Sequence, residues 1–161
     1  MKKNVIITLI ILVYAIPSFV SAHCEIPCGI YADKMRIDMI KEHITTVEKS
    51  MTQITNLENT NPLNYNQLVR WITNKDEHAN QIQNIVSQYF MTQRIKIVDE
   101  SDKAATNKYQ KEISLLHEML VYAMKTKQTT ELINCEKLRH LVDTFYNLYF
   151  TDEEKSHHHN N

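Results

Sequence analysis

From Asp33 to the end of this 161-residue chain there is no glycine and only one proline, Pro62. Strand-and-turn architectures need such residues at their reversals, so their near-absence excludes a β-rich fold and leaves long helices. Net charge is also lacking. With 18 basic residues against 19 acidic ones and no basic stripe, the composition excludes a nucleic-acid partner. Only one apolar run occurs, at the very start, so no further segment reads as a membrane span. There is no glycine-rich phosphate loop, no Ser-His-Asp pattern and no paired-carboxylate motif to suggest common catalytic chemistries. Cysteine is scarce and odd in number: three thiols cannot all pair within one chain.

What remains is helical periodicity. Ile40, Ile44, Val47, Met51 and Ile54 recur at steps of four and three, which places them on one helical stripe. A connector, "LENTNPLNYN", follows. A second stripe runs through Leu68, Ile72, Ala79, Ile82, Val86 and Tyr89. The third uses Tyr109, Ile113, Leu116, Leu120 and Ala123, and the fourth Leu138, Val142, Phe145 and Tyr149. Four helices with short connectors predict an all-α, antiparallel four-helix bundle over 32–150. The polar tail 151–161, "TDEEKSHHHNN", is expected to be disordered.

The first 22 residues have the three regions of a secretory signal peptide: Lys2 and Lys3, an apolar core from Val5 to Ile16, and small residues at Val20-Ser21-Ala22. The core is short for a spanning helix and Pro17 interrupts it. Cleavage after Ala22 is therefore expected, with export to a periplasmic or extracellular compartment and no membrane association afterwards. It would leave 139 of the 161 residues, enough for one domain. With Lys2 and Lys3 removed from the 18 basic residues, 16 would face 19 acidic ones, a mildly acidic chain.

Cleavage there makes His23 a new N-terminus, immediately before Cys24. The free amine of His23 and the amide nitrogen of Cys24 then close a five-membered ring around a metal. That amide and the Cys24 sulfur close a second, and Cys28 can return as a fourth in-plane ligand. Pro27 has no N–H to compete, and Gly29 can take the positive φ of an immediate reversal. Two nitrogens and two thiolates in a plane suit nickel(II) or copper(II), whereas zinc prefers a tetrahedral site. Spacing alone leaves two other fates open for the cysteines of an exported chain: a disulfide or a zinc clip.

The segment "HCEIPCGIY", residues 23–31, resembles the metal hook of nickel-containing superoxide dismutases, His-Cys-x-x-Pro-Cys-Gly-x-Tyr, at all six fixed positions. The resemblance implies a homohexamer of four-helix bundles that disproportionates superoxide, with one Ni2+/Ni3+ centre per subunit. It implies that His23 gives its amine in plane and its imidazole axially. Cys24 would give its amide nitrogen and thiolate, Cys28 its thiolate, and Tyr31 a hydroxyl that orders substrate or water. Further out the pattern loosens. Asp38, in "RID", stands one residue closer to the hook than the family's axial-supporting carboxylate and has a shorter side chain. His78, in "KDEHA", falls where the family has an arginine, and Tyr89, in "QYF", matches a second pocket tyrosine. Cys135 reads as a buried free thiol on the fourth helix. His157, His158 and His159 read as part of a solvated tail, and His43, His117 and His140 as single surface or core residues. Two other readings compete: a secreted helical interaction protein with a Cys24–Cys28 disulfide, and a nickel- or copper-binding protein without turnover.

Overall fold

The structure, a computed structural model, describes residues 31–152 together with 154 and 155. The chain divides into two units, 1–31 and 32–161. The first lies outside the described residues apart from Tyr31, so the proposed leader and the positions of His23, Cys24 and Cys28 do too.

The second unit is a four-helix bundle. Helix α1 spans Asp33–Glu58 and α2 spans Tyr65–Asn84. The latter continues without a break into a π-helical segment, Ile85–Arg94. Helix α3 spans Lys103–Gln128 and α4 spans Ile133–Tyr149. Each neighbouring pair is antiparallel. His43 and Ser50 on α1 meet His78 and Asn74 on α2, and Lys75 and Gln83 on α2 meet Thr126 and Leu120 on α3. Glu48 and Met51 on α1 meet Arg139 and Cys135 on α4.

The predicted stripes form the core. Ile40, Ile44, Val47, Met51 and Ile54 are all buried, joined by Ile37 one turn earlier. Ala79, Ile82, Val86, Leu116, Ala123, Leu138, Val142 and Phe145 close the centre of the bundle. Helix starts are capped where the sequence allows it. Asn64 accepts from the N–H of Gln67 at 3.1 Å, and Asp102 from those of Ala104 and Ala105 at 3.0 Å each.

The second stripe departs from its expectation at one end. Leu68 is half-buried and Ile72 is exposed, whereas Lys75 is buried. The cause lies in the next helix. Lys75 Nζ already meets the last turn of α3, donating to the carbonyls of Thr126 and Lys127 at 2.7 and 2.6 Å. Residues that precede Lys75 run past the end of α3 and lose it as a packing neighbour.

Candidate functional site

The chain leaves the hook motif at Tyr31 and enters α1 two residues later. Ala32, the N-cap, has no side chain to offer the helix, but Asp33 in the first turn suits the positive end of the helix dipole. Its carboxylate is the hub of a cluster. Arg94 Nε donates to Oδ1 at 2.8 Å and to Oδ2 at 3.0 Å, and Nη2 donates to Oδ2 at 2.6 Å. Tyr149 donates its hydroxyl to Oδ2 at 2.7 Å, and Tyr89 donates to Oδ1. The Tyr89 oxygen in turn accepts the N–H of Ala32 at 3.0 Å. Both carboxylate oxygens thus receive one phenol and a share of one guanidinium, the strong charge-assisted kind of hydrogen bond.

Two local features bring these side chains together. Tyr89 and Arg94 are five residues apart, and on an α-helix of ~3.6 residues per turn they would point about 140° away from each other. In the π-helical segment the wider turn, shown by the Ile95 N–H bonding Phe90 O at 2.9 Å, stacks residue i+5 over residue i. Both therefore reach Asp33. Tyr149 is the last residue of α4, held by stacking on Phe145 at 5.2 Å and an edge contact with Phe90 at 5.8 Å. The Arg36 guanidinium lies 5.0 Å over the Tyr89 ring. The outer sides of Arg94 and Tyr149 line a cleft of about 270 Å³ that Lys96 and Lys108 also border.

The electrostatics follow from this packing. Burial pulls the Asp33 pKa up, but the hydrogen bonds from Arg94, Tyr89 and Tyr149 outweigh it and hold the carboxyl below its ordinary value. Burial and the bonded Asp33 push the Tyr89 hydroxyl up to about 12, and Tyr149 is raised by the same two causes. Both phenols are neutral donors and Asp33 is an anion across the physiological range.

The residues singled out from sequence fall in separate places. Tyr31 is half-exposed. Asp38 sits on the solvent face of α1 and pairs with Lys34 at 2.6 Å. His78 lies on the seam between α1 and α2, its Nδ1 2.9 Å from Nδ1 of His43. Tyr89 is buried and belongs to the Asp33 cluster. Cys135 is a fully buried free thiol 3.7 Å from Met51 Sδ, its pKa pushed up to about 11, chiefly by burial. Sequence reasoning missed Asp33, Arg94, Tyr149 and His43. The signal for Tyr149 was available: a tyrosine on a buried stripe must find a partner for its hydroxyl. Nothing in the spacing of Asp33 and Arg94 pairs them.

Among the described residues no three His, Cys, Asp or Glu side chains gather as a metal site. The bundle places the chain among all-α proteins, and the candidate ligands His23, Cys24 and Cys28 lie outside the described residues. The particular family is shown by a family model: that of nickel-containing superoxide dismutase matches residues 18–153. The chain belongs to the nickel-containing superoxide dismutase family, with nickel as its metal and superoxide as its substrate. No curated protein and no solved structure matches it.

Proposed function

We propose that residues 23–31 hold one nickel ion per subunit and that His23 is the mature N-terminus, made by cleavage after Ala22 during export. The observation that carries this reading is the extent of the family match. It begins at residue 18, and so takes in the nine-residue segment that has all six fixed positions of the hook.

The donor set fits the metal. Thiolates and an amidate are strongly electron-donating, which a metal that must give up an electron at a modest potential requires. The bundle supports the same assignment. Cys135 is sealed in the core as a neutral thiol, which leaves Cys24 and Cys28 as the two sulfurs free to ligate. Nickel supplies one-electron exchange between Ni2+ and Ni3+. In the net reaction two superoxide ions and two protons give dioxygen and hydrogen peroxide.

The protein's part is to hold and orient. The amine and imidazole of His23, the amide and thiolate of Cys24 and the thiolate of Cys28 would hold the nickel. Pro27 keeps a competing N–H out of the loop and Gly29 lets the chain reverse. Tyr31 would order substrate or water, and ordered water with hook N–H groups would deliver the two protons. Asp38, His78 and Tyr89 would be outer supports of this site by the resemblance alone; Asp38 pairs with Lys34 and His78 with His43. Assembly as a homohexamer belongs to the same reading.

The test is to change the N-terminus alone. The mature protein beginning at His23 should bind one equivalent of nickel, show thiolate-to-nickel absorption and dismutate superoxide. A form with one extra residue before His23 turns the amine into an amide and displaces the imidazole, so it should lose activity. Full nickel binding and full activity in the extended form would sink the proposal. A Cys24–Cys28 disulfide in metal-free native protein would favour the interaction-protein reading instead.

A further inference from the structure

We propose that Asp33 is a positioning residue for the hook, acting through the backbone it anchors; this inference rests on the nickel reading of residues 23–31. A ligand loop delivers its donors to fixed places only if the chain that leaves it is itself fixed. The exit here is short. Tyr31 closes the motif, and the next amide, that of Ala32, is bonded to Tyr89 O at 3.0 Å. The residue after that, Asp33, is tied to Arg94 on the π-helical segment and to Tyr149 on α4. Two successive residues are thus pinned to two different elements directly downstream of the motif.

This arrangement exceeds what starting a helix requires. A first-turn carboxylate stabilises a helix while fully solvated. Asp33 instead spends its charge on Arg94 and two phenols, with only 12% of its side chain exposed. The bidentate guanidinium fixes the direction of the carboxylate as well as its position. Tyr89 links the two anchored residues, since its one oxygen accepts from Ala32 and donates to Asp33. The ten-residue π-helical segment, a rare departure from α-helix, is what lets Tyr89 and Arg94 act on the same carboxylate. Misplacing a reacting group by about 1 Å can cost on the order of 10²-fold in rate, so a rigid exit matters to the chemistry.

The experiment compares nickel-loaded wild type with Asp33→Asn and with Tyr149→Phe, the gentler change that removes one hydroxyl and keeps the ring. Three quantities are read: exchange of the Ala32 amide, the axial-nitrogen splitting of the oxidised metal's paramagnetic signal, and turnover. Circular dichroism confirms the helices. In Asp33→Asn the Ala32 amide should exchange faster, the splitting should broaden or vanish, and turnover should fall about tenfold, as for loss of other outer supports of a metal site. Nickel should stay bound. Tyr149→Phe should shift all three in the same direction by less. A merely structural role for the cluster would lower thermal stability yet leave the splitting of the folded enzyme intact. If Ala32 exchange accelerates in both variants while splitting and turnover match wild type, the positioning role is wrong. If wild type itself holds no nickel and shows no splitting, it is the nickel reading of the hook that fails.

Discussion

His43 and His78 show how little a single residue reveals before its neighbour is known. His43 reads from sequence as an isolated helix histidine, yet its Nδ1 sits 2.9 Å from Nδ1 of His78 across two helices. Only the antiparallel register of α1 and α2 brings positions 35 apart together. One ring must donate and the other accept, so at least one imidazole is neutral. Burial, then the neighbouring His78, lowers the His43 pKa below its ordinary 6.5, with Glu42 pulling the other way. The sign follows. An unfolded chain takes up the proton at higher pH than the folded one, so this stability is fully present above 6.5. It is lost as pH falls from there through the folded pKa. Urea midpoints at neutral and mildly acidic pH should therefore drop more in wild type than in His43→Asn; parallel drops would show that the pair is not linked to folding. Cys135 makes the opposite case, legible from sequence as a buried thiol. Because it is fully buried beside Met51, Cys135→Ser puts a hydroxyl into apolar surroundings and should cost about 1–3 kcal/mol of stability without altering turnover.

At the scale of elements, the apolar stripes made the four helices legible because their 3.6-residue period is a direct trace of burial. Two features escaped that period. The π-helical segment did, since Ile82, Val86 and Tyr89 keep helical spacing whether or not the following turns widen. The burial of Lys75 did too, because a lysine carries no signal that it will serve another helix. Its ammonium sits among the last carbonyls of α3, which have no intrahelical donors of their own. A cation at a helix C-terminus also meets the negative end of the dipole. Lys75→Met keeps most of the apolar stem and removes the charge. It should cost about 1.5–3 kcal/mol, the range for hydrogen bonds to a charged group, seen as a lower thermal midpoint. Lys75→Arg should recover only part of this, because the planar guanidinium must fit a site shaped around an ammonium. No loss in Lys75→Met would mean that water satisfies those carbonyls equally well.

At the scale of the whole molecule, the proposed function assigns two tasks to two stretches of sequence, metal binding to 23–31 and the scaffold to 32–150. Among the described residues every buried apolar side chain lies between Ile37 and Phe150. The proposed ligand motif ends at Tyr31, and the two residues after it are held by Tyr89, Arg94 and Tyr149. The family was legible because its motif fixes residue types at fixed spacing. The tie was not, because a salt bridge between residues 61 apart leaves no spacing to read. This division makes a sharp expectation for the cysteines. Cys24→Ser and Cys28→Ser should each abolish the thiolate-to-nickel absorption and all dismutation, since a hydroxyl would replace a proposed thiolate ligand. Their far-ultraviolet circular dichroism should match wild type, because the stripes of the four helices bury their apolar faces against one another. Thermal midpoints of the metal-free variants should coincide with that of metal-free wild type. Loaded wild type should lie above all three, by an increment that grows with free nickel, as it must when a ligand binds only the folded state. Loss of helicity in either variant would instead mean that Cys24 and Cys28 hold the fold together, as a structural disulfide does.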